Sequence, residues 1–196
     1  ILHDMHQPYQ HQLPKLSLSF SKLWYYSLES TVRLIIGMLL SLVFSIIVGC
    51  GCAYNLAIRR VLLPVINFLE SIPLLGFMTL SVCIFQALYP HNRMGLEWAA
   101  IIGAFTGQAW NMALGFYQSL IIVPESLQDM RRIFNMHPVL YFARIALPFA
   151  LPNLIYNMMI SQSAAWFALV GTESIVIAHH TIMLPGIGSY IQVALD

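Results

Sequence analysis

Charged residues are scarce in this sequence. Of its 196 residues, 9% are Asp, Glu, Lys or Arg and 59% are hydrophobic, with a mean hydropathy of +0.74. A soluble domain carries roughly 25% charged residues, enough to cover a surface that faces water. The shortage of charge therefore excludes an ordinary soluble fold and predicts an integral membrane protein.

Other absences narrow the function. The loop motif Gly-x-x-x-x-Gly-Lys-Ser/Thr is missing, so any ATP chemistry must come from another polypeptide. Nine basic residues against eight acidic ones give no basic surface for nucleic acid. We predict neither a catalytic nor a metal site, because the cysteines and clustered histidines lack partners at ligand spacing. These residues are Cys50, Cys52, Cys83, His3, His6, His11, His179 and His180.

Long apolar stretches dominate the rest of the chain. Four of them, Thr31–Ile58, Val61–Tyr89, Leu96–Val123 and Leu147–Ala178, exceed the ~20 residues that a membrane-spanning helix needs. A fifth, Ile182–Leu195, is too short to span, so it is either re-entrant or a spanning helix cut off by the end of a fragment. We expect a fragment because the sequence begins with Ile rather than Met. The pattern predicts an all-α membrane bundle of about five core helices, the last one truncated.

The first 30 residues differ from this pattern. Residues 1–14 are polar and predict a tail, and Leu16–Ser30 combines aromatic residues with lysines, which favours a segment at the bilayer surface. We therefore predict a tail and interfacial segment over residues 1–30 and a transmembrane domain over residues 31–196.

Small residues recur every four positions in two stretches. Positions four apart share a helix face, where small side chains allow helices to approach closely. We interpret both ladders as packing seams, with a substrate path as the alternative for Asn111, the polar member. The ladders are Gly37, Ser41, Ser45, Gly49, Ala53 and Ala57, and Ala99, Gly103, Gly107, Asn111, Gly115 and Ser119.

Basic residues set the orientation. Arg59 and Arg60 separate the first two stretches, and three arginines lie in the segment 124–146 between the last two. Only one arginine lies between the second and third. The positive-inside rule therefore places Arg59, Arg60 and the segment 124–146 in the cytoplasm. Lys15, Lys22 and Arg33 fall on the opposite side of the membrane in this topology.

The segment 124–146 predicts two short helices. Pro124 suits a first turn, with acidic residues near the start of the helix and arginines near its end. Asn135 can adopt the left-handed conformation that closes a helix, and Pro138 begins a second helix that ends near Pro148. Met130 lies on an apolar face of the first helix, with Leu127 and Phe134. This face would dock into a groove on a partner protein, rest on lipid, or cover the protein's own core.

The chain resembles binding-protein-dependent ABC importer permeases. Their cytoplasmic loop carries Glu-Ala-Ala, three variable residues, Gly, nine variable residues, then Ile-x-Leu-Pro. Counting back from Ile145 and Pro148 places Asn135 at the glycine and Asp129 at the glutamate, while Met130 and Arg131 replace the alanines. Nearly the whole chain from Thr31 takes part in the resemblance. Segments resembling the nitrate, sulfonate and taurine branch are Asn67–Phe77, Gly171–Glu173 and Gly186–Tyr190.

The resemblance implies a function and partners. It implies a type I importer permease in the bacterial inner membrane, without enzymatic activity. A second permease unit, as a homodimer or fused half, would complete the pathway. A separate ABC ATPase would hold ATP and magnesium, and an external binding protein would deliver a small anion such as nitrate, sulfonate or bicarbonate. The residues expected to couple to the ATPase are Glu125, Leu127, Asp129, Met130, Arg131, Phe134 and Asn135.

Glu70 and Glu173 are acidic residues that lie inside apolar stretches. Ionisable groups in a membrane are costly and are candidates for function. We expect both to face the solute pathway with Asn111, or else to make structural hydrogen bonds to neighbouring helices. The alternative functions are a proton-coupled secondary transporter using these two carboxylates, and a membrane scaffold that only recruits a partner.

Overall fold

A computed structural model describes residues 20–89, 93–177 and 180–195. The predicted tail and the first residues of the predicted interfacial segment lie outside these ranges. The elements in chain order are α1 (Phe20–Tyr54), α2 (Leu56–Glu70), α3 (Leu74–Leu88), α4 (Met94–Ile121), α5 (Glu125–Ile133), α6 (Pro138–Tyr141), a π-helical turn (Phe142–Ala146), α7 (Leu147–Glu173), β1 (Ser174–Ile177), β2 (His180–Met183) and α8 (Ile187–Leu195).

Helix α1 is continuous over 35 residues. Between residues 20 and 36 the sequence holds neither Gly nor Pro, so nothing interrupts the helix where we predicted a boundary at residue 30. Residues 20–30 therefore form the first turns of α1, and their position at the bilayer surface stays a prediction. After α1, Asn55 caps α2 by accepting hydrogen bonds from the backbone N–H groups of Ala57 and Ile58, at 2.9 and 3.2 Å.

The second apolar stretch is not one helix. It is broken between α2 and α3 at residues 71–73. Pro73 has no N–H to donate and disfavours helical geometry at Ile72, so the helix ends before it. The prediction of one continuous spanning helix over Val61–Tyr89 is wrong.

The fourth apolar stretch departs from its prediction at its start. The helix that begins at Pro138 does not end near Pro148, because the π-helical turn carries it into α7. Pro148 cannot bond to the carbonyl of Arg144, and a wider turn before a proline accommodates that missing bond.

At its other end, α7 stops at Glu173 instead of reaching Ala178. Strands β1 and β2 form an antiparallel hairpin that pairs Ser174 with Met183 and Ile177 with His180. The β-branched run in β1 favours an extended conformation over a helix. The all-α prediction is confirmed for the described residues except in this hairpin. The fifth predicted stretch consists of β2 and the short helix α8.

Among the described residues, two helices are long and apolar enough to cross a membrane, Lys22–Tyr54 and Pro138–Glu173. Leu56–Glu70 and Leu74–Leu88, which meet at a bend of 98°, qualify only together, as a broken span or a re-entrant loop. Helix α4 does not reach that hydropathy, because its glycines and amide residues dilute the apolar ones. Four separate spans were therefore too simple a prediction.

The chain divides into two compact units. The first comprises Ile1–Leu40, Ile72–Gln108 and Gln162–Asp196, and the second comprises Ser41–Ser71 and Ala109–Ser161. Each has its own apolar core. Buried in the first are Leu34, Val82, Leu96, Ala99, Ala100, Ala104, Ala165, Leu169 and Leu184. Buried in the second are Met112, Phe116, Leu120, Tyr141, Ala146, Ala150 and Leu154.

Small residues bring helices together within each unit. A methyl group on Gly107 would lie 3.0 Å from the backbone N and Cα of Ala165. One on Gly115 would meet the side chain of Asn157, and one on Gly37 would lie 3.1 Å from the Cβ of Ala104. The interpretation of both ladders as packing seams is confirmed at these positions.

A buried ion cluster links the helices of the first unit. The Arg33 guanidinium donates through Nε and Nη2 to Glu97 at 2.6 and 2.7 Å, and through Nη1 to Glu173 at 2.8 Å. The carboxylate of Glu29 lies 3.6 Å from Nη2. Glu173 also accepts from the Ser30 hydroxyl at 2.6 Å and the Gly188 N–H at 2.9 Å. Arg33 and Glu173 are both fully buried, so each offsets a charge that the apolar surroundings disfavour.

We predict that Arg33→Ala destabilises the protein by about 3–5 kcal/mol, because Glu97 and Glu173 stay buried without their counter-ion. The measurement is the thermal unfolding midpoint of the full-length protein in detergent, followed by tryptophan fluorescence. The control is Arg60→Ala, which removes an exposed arginine and should change stability by less than about 0.5 kcal/mol. Equal midpoints for the two variants would contradict a stabilising role for the cluster.

A second prediction concerns the seams. Gly107→Ala should destabilise by about 1–3 kcal/mol, because its methyl group meets the backbone of Ala165, which cannot rotate away. Gly51→Ala is the matched control, since its methyl group would lie 3.5 Å from Ile58, an ordinary contact. This control should be neutral or stabilising, because alanine is the better helix former by about 1 kcal/mol. The same midpoint assay compares them, and an unchanged Gly107→Ala midpoint would reject the close packing.

Candidate functional site

The candidate site is the segment 124–146, which lies within the second unit. Helix α5 follows Pro124, whose backbone angles, φ −56° and ψ 145°, lead into its first turn. Glu125 lies in the first turn and Arg131 and Arg132 in the last, which matches the dipole of the helix. The first of the two predicted helices is confirmed.

Asn135 ends this helix as predicted. Its φ of 45° lies in the left-handed region. The Met136 N–H donates to the Arg131 carbonyl at 2.9 Å, and the Asn135 N–H donates to the Arg132 carbonyl at 3.3 Å. This pair of bonds is the Schellman motif, which glycine usually closes and asparagine closes less often. Asn135 thus performs the local role of the glycine to which it corresponds in the resemblance.

The apolar face of α5 is exposed. Ile133 is 76% exposed, Phe134 67% and Met130 38%, whereas Leu127 is half-buried. Every residue of α5 is exposed or half-buried, so the helix does not cover the protein's own core. Ile133 was not among the residues predicted for this apolar face. It follows Met130 by three positions, which places the two on one face of the helix.

Charges decorate the remainder of α5. Asp129 and Arg132 form an ion pair at 3.2 Å, with their side chains 52% and 84% exposed. An exposed pair of this kind adds little stability. Both groups, and the exposed Glu125, therefore remain accessible at the surface of the helix.

The opposite face of α5 borders an open cleft of about 1020 Å³, which we call the arginine cleft. Two residues expected to couple to an ATPase, Arg131 and Asn135, line it. Arg59 served only to predict the orientation of the chain in the membrane, and the fold brings it to this cleft. The complete lining is Ala53, Tyr54, Arg59, Leu120, Ile121, Val123, Gln128, Arg131, Arg132, Asn135, Met136, His137, Pro138 and Tyr141.

The predicted pathway residues occupy three different settings. Asn111 is half-buried in the second unit and donates from Nδ2 to the Ser161 hydroxyl at 2.7 Å. Glu70 is exposed at the last position of α2. Glu173 belongs to the buried cluster with Arg33 in the first unit. A pathway role for each stays a prediction, and Glu173 also makes the structural hydrogen bonds foreseen as the alternative.

The partners of Glu173 were missed in the sequence. Arg33 lies near the start of the apolar stretch Thr31–Ile58, and a guanidinium buried there requires a carboxylate partner. That requirement was the available signal. It could not say which carboxylate, since Glu97 and Glu173 lie 64 and 140 residues away.

Comparisons with known proteins agree with this architecture. The protein-family model described as "Binding-protein-dependent transport system inner membrane component" matches residues 34–193. The bicarbonate transport system permease protein CmpB of Synechococcus elongatus is 23% identical over 154 residues, which cover 79% of this chain and 52% of that protein.

Two further relatives have comparable similarity. The nitrate import permease protein NrtB of Leptolyngbya laminosa is 22% identical over 144 residues, which cover 74% of this chain and 49% of that protein. The taurine transport system permease protein TauC of Escherichia coli is 26% identical over 153 residues, 78% of this chain and 53% of that protein. The chain spans about half the length of the curated relatives it matches. On the extent of the family match, this chain belongs to the inner membrane components of binding-protein-dependent transport systems, which are permeases and not enzymes.

Proposed function

We propose that the protein is the membrane-spanning permease of an ATP-driven importer and that α5 binds a separate ATPase subunit. The observation that supports this most is the exposed apolar face of α5, formed by Met130, Ile133 and Phe134. An amphipathic helix that presents large apolar side chains to water fits a groove on another protein.

The charges of α5 support the same assignment. Its nine residues include Glu125, Asp129, Arg131 and Arg132, which would surround the apolar face with a polar rim. Protein interfaces commonly have such an apolar centre and charged border. In this proposal Met130 and Phe134 enter the ATPase groove, while the border residues set its register.

The remaining partners follow from the family. We propose a second permease unit, either a copy of this protein or a fused half, that completes the solute pathway. An external binding protein would deliver the solute, as the family description indicates. ATP and magnesium would bind to the ATPase subunit.

For the solute we propose a small oxyanion. The named relatives handle bicarbonate, nitrate and taurine, which share a compact group of oxygens with negative charge. A carboxylate near the path would repel such a solute. Glu70 and Glu173 are the two carboxylates predicted to face the path. The ion pair between Glu173 and Arg33 supports the proposal, because the positive charge of Arg33 offsets the negative charge of Glu173.

The docking test replaces both Met130 and Phe134 with Asp. Two carboxylates in an apolar groove should cost several kcal/mol of binding energy, so the ATPase should no longer co-purify with the permease. The measurement is the ratio of ATPase to full-length permease after affinity purification from membranes.

The matched control replaces the same two residues with Leu, which keeps the face apolar, and its ATPase ratio should stay near that of the wild type. An undiminished ratio for the Asp pair, with the permease still in the membrane, would falsify docking through this face. A helix that only rested on lipid would give that result.

The energy source separates the importer from a proton-coupled transporter. In proteoliposomes holding permease, ATPase and binding protein, uptake of labelled nitrate, bicarbonate or taurine should require ATP. It should persist when a protonophore collapses the proton gradient. Uptake that continues without ATP and stops with the protonophore would instead favour the secondary transporter with Glu70 and Glu173.

A further inference from the structure

The arginine cleft contains more positive than negative charge. Its lining includes Arg59, Arg131 and Arg132. Among the described residues, no Asp or Glu lines it; Asp129, outside the lining, bonds to Arg132 alone. A concave surface with several guanidinium groups and no carboxylate is suited to an anion.

Two of these arginines are held in place by uncharged groups. Arg59 donates from Nε to the Cys52 carbonyl at 3.1 Å, and its guanidinium lies 5.8 Å from the centre of the Tyr117 ring. The guanidinium of Arg131 lies 5.9 Å from the centre of the Tyr141 ring. These contacts fix the side chains without neutralising them, so their charge is available to a ligand.

The cleft and the apolar face lie on opposite sides of α5. At about 100° per residue, Gln128, Arg131 and Asn135 share the face that lines the cleft. Met130 and Ile133 lie on the reverse face. A ligand in the cleft therefore leaves Met130 and Ile133 uncovered.

The position of the cleft along the chain indicates where its ligand comes from. Tyr54 ends the candidate span Lys22–Tyr54, and Pro138 begins the candidate span Pro138–Glu173. Both residues line the cleft. Two spans that end together mark the boundary of the hydrocarbon layer, where lipid headgroups lie. Apolar surface adjoins the charge there, since Ile121 is 46% and Tyr54 58% exposed.

We infer that the arginine cleft binds the phosphate headgroup of an anionic phospholipid. Arg59 and Arg131 contact the phosphate oxygens, and the exposed apolar residues beside them contact the first part of the acyl chains. Basic pockets at the ends of membrane helices bind such headgroups by this chemistry. The proposal does not depend on the ATPase.

The test uses the full-length permease in nanodiscs of phosphatidylcholine, with or without added phosphatidylglycerol. Phosphatidylglycerol should raise the thermal midpoint of the wild type and remain bound in native mass spectrometry. Arg59→Gln with Arg131→Gln should weaken this binding about thirtyfold, since two basic contacts are lost. Arg131→Gln alone changes an exposed residue, so it should fold normally and weaken binding about fivefold.

The matched control is Arg60→Gln with Arg144→Gln, which removes the same charge outside the cleft lining and should keep the full effect of phosphatidylglycerol. Equal binding by the cleft and control variants would overturn the assignment. Stabilisation by inorganic phosphate in phosphatidylcholine, with no added effect of phosphatidylglycerol, would also overturn it, in favour of a free anion.

Co-purification of the ATPase separates this proposal from the docking of α5. Arg59→Gln alone should weaken lipid binding and retain the ATPase, because Arg59 lines the cleft but is not among the residues expected to couple to the ATPase. The Asp pair at Met130 and Phe134 should retain the lipid. Loss of the ATPase with retention of the lipid in Arg59→Gln would show that the cleft serves the ATPase instead.

Discussion

The pairing of Arg33 with Glu97 and Glu173 is the constraint on which the first unit depends. An apolar environment offers no water to stabilise a guanidinium, so each of its N–H groups must find an acceptor in the protein. The acceptors here come from α4 and from the end of α7, and Nη1 also donates to the Pro185 carbonyl at 2.7 Å. One arginine thereby fixes the mutual positions of two long helices and of the chain that follows the hairpin.

The same constraint explains how α7 ends. Glu173 is its last residue, and its backbone carbonyl accepts from the Leu184 N–H at 2.9 Å while its side chain binds Arg33. The Ser189 hydroxyl donates to that carbonyl as well, at 2.6 Å. The side chain and the backbone carbonyl of Glu173 thus both bond to groups outside α7. The helix ends there, and the next residues can extend as a strand. The hairpin is consistent with this arrangement and with the β-branched residues of β1.

Local features of the chain were predictable from the sequence, and long-range ones were not. Pro124 and Asn135 bracket α5 through their own backbone preferences, which need no tertiary contact, and Pro73 breaks its helix for the same reason. The partners of Arg33 depend on which helices pack together, and a single sequence does not encode that openly. The arginine cleft is an intermediate case. The charge of Arg131 was evident, but only folding brings Arg59 beside it from 72 residues away.

The segment 124–146 departs from its family's pattern in residue identity while keeping the underlying physics. Asn135 replaces a glycine yet adopts the left-handed φ of 45° that the turn requires. Asp129 keeps the carboxylate of the glutamate it replaces. Met130 and Arg131 replace two small alanines with large side chains that point about 100° apart around α5. The first enlarges the exposed apolar face, and the second brings a guanidinium to the cleft. Under the two proposals, Met130 would contribute to the contact with the ATPase and Arg131 would supply charge to the anion site. The change in sequence would then serve two surfaces and would not remove one.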